Sequence, residues 1–197
     1  MKVFGDTQSG NCYKIKLVCH LLQLPHQWVH VDILAGDTQQ AAFLAKNPLG
    51  KIPLLELDDG RCLSESNAII NYLATGSELL PTNSFAFAKL LQWQFFEQYS
   101  HEPYIAVARF IAKYLGLPET RRAEYQAKQT GGHRALAVMN QQLEQTPYLI
   151  GQTFTTADIS LYAYTHVAHE GGFDLSTYPA IQMWLDRVAA QPRYVAM

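Results

Sequence analysis

The sequence has little charge and no long apolar run, and each shortage excludes a class of protein. Charged residues make up 16% of the 197 residues and the net charge is -2, so no large basic field attracts nucleic acid or an anionic membrane. No apolar segment reaches about 20 residues, the length that a transmembrane helix needs. With 48% hydrophobic residues, the chain is predicted to be a globular protein without nucleic-acid or membrane partners.

Cysteine is also scarce. The three cysteines form neither a disulfide framework nor a CxxC pair. The seven histidines show no ligand spacing with cysteines or carboxylates, so we expect no metal site. The first residues lack the apolar core of a secretory signal. A reducing, cytoplasmic location is the simplest expectation.

The pattern of apolar residues changes near the middle of the chain. Residues 1–76 alternate strand-like and helix-like segments in the order β-α-β-α-β-β-α, which predicts an α/β domain with one mixed sheet. Within it, Asp59-Gly60 between two apolar runs predicts a β-hairpin. Residues 77–85 are rich in turn formers and are predicted to be a linker. Residues 86–197 show helical periodicity and predict an all-α bundle.

Three local signals refine the helical half. Thr155 and Asp158 fit a capping box at a helix start. Pro103 should kink or end the first long helix, because proline lacks the N–H that the helix interior needs. Gly131-Gly132 should weaken the second helix.

Two short segments of the first half are candidates for binding a small peptide. Ile52-Pro53 opens a strand, and a cis bond there would present the Ile52 backbone to an extended ligand; a trans proline at a strand start is the alternative. Glu65-Ser66 opens a helix. Ser66 and the helix N–H groups suit a carboxylate and Glu65 suits an ammonium, or Ser64 and Glu65 serve only the helix start.

A third candidate is the polar loop between the first strand and the first helix. Ser9 lies in it, where ligands of α/β sheets bind. The chain has no GxSxG motif, so a nucleophilic serine is not expected. Ser9 is predicted to be either a hydrogen-bond donor to an anion or the N-cap of the helix.

The order and spacing of these segments closely resemble the cytosolic glutathione transferase family, over essentially the whole chain. The matching segments are Ser9-Gly10-Asn11-Cys12-Tyr13, Asn47-Pro48-Leu49-Gly50-Lys51-Ile52-Pro53, Glu65-Ser66-Asn67-Ala68-Ile69 and the capping-box segment 151–158. The resemblance implies a thioredoxin-like N-terminal domain with a cis Pro53 and an all-helical C-terminal domain. It also implies glutathione as co-substrate, with no further cofactor.

The resemblance assigns roles in glutathione binding residue by residue. The backbone of Ile52, before Pro53, would pair with the cysteinyl part of glutathione. Glu65 and Ser66 would hold the γ-glutamyl group. Lys51 would contact the glycyl carboxylate.

The resemblance also places thiol activation in the first loop. Ser9 matches the serine of the serine-type classes, above all Zeta, and lies near the cysteine position of the bacterial Beta class, so the class stays open. Asn11 would share or take over the role of thiol donor, and Cys12 is expected to be a helix residue.

Tyr104 and Arg109 are candidates for contacting the electrophile in a pocket between the domains. Packing is the alternative for both. Arg109 could instead pair with an acidic residue across the domains.

The implied function is a glutathione S-transferase that conjugates small hydrophobic electrophiles in detoxification, as a homodimer. Two alternatives stay open. One is a glutathione-dependent isomerase of the maleylacetoacetate type. The other is a non-catalytic glutathione-binding or interaction module, because fold does not dictate function.

Overall fold

The computed structural model describes all 197 residues as two compact units. The N-terminal unit comprises Met1–Leu80 together with Pro192–Met197, and the helical unit comprises Pro81–Gln191. The last six residues thus differ from the predicted division. They join the N-terminal unit because the Tyr13 hydroxyl donates to the carbonyl oxygen of Val195 at 2.7 Å.

The N-terminal unit has the predicted order β-α-β-α-β-β-α. Its elements are β1 (Lys2–Gly5), α1 (Gly10–Leu21), β2 (Gln27–His30), a 3-10 turn (Asp37–Gln39), α2 (Ala41–Leu44), β3 (Leu54–Glu56), β4 (Cys62–Leu63) and α3 (Ser66–Leu73). The strands form one sheet in the order β2-β1-β3-β4. Strand β1 runs parallel to β2 and antiparallel to β3, so the sheet is mixed, as predicted.

The predicted hairpin is confirmed between β3 and β4. The two strands pair antiparallel, with Leu55 opposite Leu63. Gly60 in the connecting turn has a φ of 85°, which glycine adopts without the strain that a Cβ would bring. The turn residues and the apolar runs on either side therefore specify the same local structure.

The helical unit is built from five α-helices with short irregular turns. They are α4 (Ser84–Phe96), α5 (Glu102–Arg109), α6 (Arg122–Leu143), α7 (Thr156–Thr165) and α8 (Pro179–Ala189), with π turns at Glu97–His101 and Phe110–Tyr114 and 3-10 turns at Glu119–Arg121 and Ala168–Gly171. No helix of the protein is both long enough and apolar enough to cross a membrane.

Proline and glycine act differently in the two longest helical segments. Pro103 lies in the first turn of α5, directly after a π turn, which confirms the predicted interruption. Helix α6 continues without a break through Gly131 and Gly132. A Cβ on Gly131 would lie 2.1 Å from the Tyr104 ring, so this glycine is required for close packing of the helix against that ring.

Three buried polar pairs join the α4–α5 segment to α7, and we call them the polar seam. The pairs are Gln94 with Thr156 at 3.3 Å, Glu97 with Ser160 at 3.4 Å, and His101 with Thr165 at 2.9 Å. All six residues are buried. Each pair gives a buried polar group a partner inside a largely apolar interface.

The predicted capping box at the start of α7 is confirmed. The Thr155 N–H donates to Asp158 Oδ2 at 3.0 Å. The other carboxylate oxygen of Asp158 accepts from the Leu149 N–H and from Trp184 Nε1, both at 3.0 Å. Burial raises the pKa of Asp158 to about 6, against the opposing effect of these hydrogen bonds. One side chain therefore links the preceding loop, α7 and α8.

His166 ends α7 and is largely enclosed. Its ring stacks on Tyr162, with ring centroids 4.7 Å apart, and its Nδ1 lies 2.8 Å from the Tyr162 carbonyl oxygen. Because a carbonyl only accepts, Nδ1 carries the proton. Burial lowers the pKa of His166 to about 4.

This lowered pKa predicts that His166 makes an acid-sensitive contribution to the stability of the fold. An unfolded histidine titrates near pH 6.5, so below that pH the unfolded state binds more protons than the folded state. The stabilising contribution of neutral His166 is therefore fully present above pH 6.5 and is lost as the pH falls toward 4. Between pH 6.5 and 5 the loss is about 1.5 kcal/mol, because the slope reaches its limit of about 1.4 kcal/mol per pH unit only once the unfolded histidine is protonated.

The measurement is urea unfolding at several pH values. His166→Phe keeps an aromatic ring against Tyr162 and removes the titration, so its stability should fall less with acid than that of the wild type. His169→Phe, at an exposed position nearby, should keep the wild-type dependence. Equal pH dependence in all three proteins would contradict the assignment.

Candidate functional site

Strand register brings the three candidate segments to one edge of the sheet. Phe4 near the end of β1 pairs with Leu54 at the start of β3, and Leu63 at the end of β4 pairs with Leu55. The loop after β1, the residues before β3 and the start of α3 after β4 therefore share this edge, which we call the site edge.

Ser9 is the N-cap of α1. Its side-chain oxygen accepts a hydrogen bond from the Cys12 N–H at 3.4 Å. A hydroxyl that accepts through a lone pair keeps its own proton to donate. The two interpretations of Ser9 from the sequence, helix cap and donor to an anion, are therefore compatible in one side chain.

The Ile52-Pro53 peptide bond is cis, as expected from the resemblance. Ile52 packs against a buried cluster formed by Val31, Phe43 and Leu54. The side chain of Lys51 is exposed.

Asn47 organises the loop that precedes this bond. It is 3% exposed, and its Nδ2 donates to the Lys51 carbonyl oxygen at 2.7 Å. Its Oδ1 accepts from the Leu49 N–H at 3.2 Å. Asn47 thus holds the backbone on the N-terminal side of Ile52, a role that its place in the matching segment did not specify.

The start of α3 differs from the helix-start interpretation. The helix begins at Ser66, its N-cap residue is Glu65, and no side chain caps it, so the interpretation of Ser64 as N-cap was wrong. Glu65 has a φ of 67°, which costs a residue with a Cβ about 1–3 kcal/mol. Its side chain is exposed. A residue with a strained backbone and an exposed carboxylate beside a helix N-terminus is more typical of a ligand contact than of a cap.

Ser66 directly joins two of the predicted segments. Its hydroxyl donates to Asn11 Oδ1 at 3.2 Å. The same oxygen accepts from the Nζ of Lys14 at 3.2 Å. Ser66 is 4% exposed and Lys14 is fully buried. The candidate thiol donor and the candidate carboxylate site are thus in hydrogen-bond contact.

Lys14 was not predicted as a site residue, although its position in the sequence carried a signal. The residue stands within the buried run of α1, between Tyr13 and Ile15, where an apolar side chain is the norm. A charged residue at such a position requires polar partners, and here they include Ser66 and Asn67, whose Oδ1 lies 3.4 Å from the Lys14 Nζ.

Cys12 is a buried residue of α1, as expected. Burial raises the pKa of its thiol to about 12, which outweighs the opposing hydrogen bond from Ser9. The side chain is therefore a neutral thiol at physiological pH. Since the thiolate is the nucleophilic form, burial of the thiol argues against covalent chemistry at Cys12.

Arg109 belongs to an ion-pair cluster of the helical unit. It is 2% exposed, and its Nε donates to Glu170 Oε2 at 2.5 Å. Its acidic partner therefore lies in the same unit, whereas an acidic residue of the other domain was considered from the sequence. Burial opposes ionisation of Glu170, but hydrogen bonds from Lys113 and Arg109 keep its pKa below the usual value. A substrate contact by Arg109 stays a prediction.

Tyr104 lies beside a cavity of the helical unit. The cavity has a volume of about 530 Å³, and Tyr99, Thr130 and Arg134 also line it. The Nζ of Lys128 lies 5.7 Å from the centroid of the Tyr104 ring. Contact of Tyr104 with an electrophile stays a prediction.

Comparison with known proteins identifies the family. The family models for the glutathione S-transferase N-terminal domain and C-terminal domain match residues 8–75 and 86–192. The chain belongs to the glutathione S-transferase family. This confirms the family predicted from the sequence, together with the thioredoxin-like and all-helical domains, and it supports a glutathione transferase enzyme.

Individual relatives agree with this assignment. A glutathione S-transferase structure from Pseudomonas fluorescens Pf-5 is 65% identical, covers 99% of this chain and 97% of its own, and has a TM-score of 0.98. Glutathione S-transferase 3 of Zea mays is 31% identical over 98% of this chain and 91% of its own length. A maleylacetoacetate isomerase of Pseudomonas aeruginosa is 26% identical over 98% and 93%.

In this transferase, two substitutions of Glu65 should distinguish the effect of backbone strain on stability from the effect of the carboxylate on glutathione binding. Glu65→Gly relieves the strain and should raise the free energy of unfolding by about 1 kcal/mol, while glutathione retention falls because the carboxylate is lost. Glu65→Ala loses the same carboxylate but keeps a Cβ, so it should bind as weakly as Glu65→Gly without the gain in stability.

Urea unfolding and retention on immobilised glutathione measure the two effects. If Glu65→Ala raised the free energy of unfolding as much as Glu65→Gly, the role of backbone strain would be contradicted. Full retention by both variants would contradict the role of the carboxylate.

Proposed function

We propose that this protein transfers the sulfur of glutathione, as the thiolate, to small hydrophobic electrophiles. The observation that carries the proposal is the hydrogen bond between Ser66 and Asn11 at the site edge. It connects the segment that holds the γ-glutamyl group in the family with the loop that activates the thiol.

The binding mode follows from the chemistry of the site edge. The exposed Glu65 carboxylate accepts from the γ-glutamyl ammonium, and the N–H groups at the start of α3 bind the neighbouring carboxylate. The Ile52 backbone pairs with the cysteinyl part in the manner of an added strand. Lys51 reaches the glycyl carboxylate.

Activation of the thiol requires only one or two good donors. A thiol with a pKa of about 8.5 is only a few per cent ionised at pH 7, and lowering that pKa by two units takes about 2.7 kcal/mol. One hydrogen bond to a charged group supplies about 1.5–3 kcal/mol. The Ser9 hydroxyl, assisted by Asn11 and by the N-terminus of α1, is sufficient.

The chemical step then joins sulfur to carbon. In a substitution, the thiolate forms an S–C bond and the leaving group departs with the bonding electrons. In an addition to an activated double bond, the neighbouring carbon takes a proton from water. Ionisation raises the rate at pH 7 by at most about thirtyfold, so the remaining acceleration comes from positioning the electrophile.

A second candidate is the glutathione-dependent isomerase of the maleylacetoacetate type, which the relative from Pseudomonas aeruginosa favours. There the thiolate would add to a cis double bond, the bond would rotate, and the thiolate would leave again. The same thiolate serves both reactions, so only the substrate distinguishes them.

An electrophile panel tests these functions. Retention on immobilised glutathione tests binding, and an absorbance assay with a chlorodinitrobenzene-type substrate tests transfer. A cis-alkene diketone tests isomerisation. Retention without turnover of either substrate would favour a binding module, and failure to bind glutathione would overturn the proposal.

We also propose a symmetric homodimer in a reducing compartment. Large aromatic side chains on the helical unit support self-association, since Phe85, Phe95 and Tyr99 are 74%, 62% and 81% exposed. Sedimentation velocity should give twice the monomer mass, and a monomer at micromolar concentration would contradict this.

Removal of the Ser9 hydroxyl should impair turnover rather than binding. Ser9→Gly loses the donor at a cost of only a few tenths of a kcal/mol in helix capping, so we expect at least a tenfold loss of kcat with glutathione affinity nearly unchanged. Thr7→Ala, at an exposed position in the same loop, is the matched control. Unchanged kcat in Ser9→Gly would move the role to Asn11.

A further inference from the structure

The fully buried ammonium of Lys14 is the feature of the site edge that glutathione binding leaves unexplained. The side chain projects from α1 toward the first turn of α3. Burying an ammonium costs several kcal/mol before its hydrogen bonds are counted. A lysine that served only to fill space between two helices would be replaceable by methionine.

The contacts of Lys14 set the direction of a hydrogen-bond chain. Its Nζ has only protons to offer, so Ser66 Oγ must accept. The single hydroxyl proton of Ser66 is then directed at Asn11 Oδ1, 3.2 Å away. The chain therefore runs in one direction, from Lys14 through Ser66 to Asn11.

This chain orients the amide group of Asn11. Its oxygen is held by Ser66, which places the Nδ2 donor on the opposite edge of the planar amide. An amide turned the other way would place an N–H donor against Ser66, and the Ser66 proton would lose its acceptor. The orientation thus favours Asn11 as a donor, which is the form that a thiolate requires.

We propose that Lys14 is a positioning residue that acts through Ser66 to hold Asn11 as a donor to the glutathione thiolate. This inference rests on the proposed function, because it names a further determinant of the same site. It assigns the main orienting role to a residue that touches neither the sulfur nor the electrophile.

The test is the pKa of bound glutathione, followed by ultraviolet absorbance of the thiolate at saturating glutathione. Lys14→Met should raise that pKa by about one unit, which is a tenfold loss of thiolate at a fixed pH below the pKa. The pH profile of kcat/KM for the electrophile, measured at saturating glutathione, should shift by the same amount. Lys16→Met is the matched control on the same helix, since the Lys16 Nζ donates to the Ala196 carbonyl oxygen instead. Its titration should match that of the wild type.

A double-mutant cycle separates the relay from a direct effect of charge. In a Ser66→Ala background, Lys14→Met should cause no further shift of the thiol pKa, because the link is already broken. A shift that persists there would show direct action of the charge and overturn the relay. If Lys14→Met does not fold, Asn11→Ala combined with Ser66→Ala tests the Ser66–Asn11 link on which the relay depends. The relay predicts that the double variant shifts the thiol pKa no more than the larger single variant, and additive shifts would overturn it.

The outcomes are distinguishable from failure of the proposed function. A wild-type protein that does not bind glutathione overturns the proposed function itself. A wild type that ionises bound glutathione, with Lys14→Met and Lys16→Met titrating alike, leaves the transferase intact and overturns only the role of Lys14.

Discussion

The pairing of β1 with β3 is the constraint on which the site depends. Both strands are short, and in β3 the neighbouring residues Leu54 and Leu55, which point to opposite faces of the sheet, are both fully buried. With Phe4 opposite Leu54, the end of one strand and the start of the other coincide. Three loops far apart in sequence then meet at one edge, which brings Asn11 and Ser66 within hydrogen-bond distance of each other.

Several residues at this edge have locally unfavourable conformations or environments. Glu65 has an unfavourable backbone conformation, the start of α3 lacks a side-chain cap, and Lys14 buries an ammonium. Each departs from the rule that local preference and global fold agree. Such departures concentrate where binding requires a donor or a charge in a fixed place, and the apolar core elsewhere supplies the stability.

Much of the fold could be predicted because its determinants are local. The turn around Asp59-Gly60 and the box of Thr155 and Asp158 each depend on residues within a few positions of one another. The helix start at Ser66 could not be predicted in the same way. Ser64 suits an N-cap and Glu65 suits the first turn, but the observed start depends on how β4 enters the helix.

Long-range partners were beyond reach for a different reason. Arg109 and Glu170 are 61 positions apart, and Lys14 and Ser66 are 52 apart, so no spacing rule relates them. The sequence showed that a lysine interrupts an apolar run, but its partner depends on the crossing of two helices. The segments of the site could thus be found from the sequence, and the hydrogen bonds between them could not.

The polar seam has a consequence for the folding landscape of the helical unit. Apolar helix faces tolerate sliding, because one methyl group substitutes for another at small cost. Three polar pairs spaced along the same contact do not, since a displaced register leaves several buried groups unsatisfied at about 1–3 kcal/mol each. The polar seam thus favours a single register of the packed helices. This widens the energy gap between the native packing and compact alternatives.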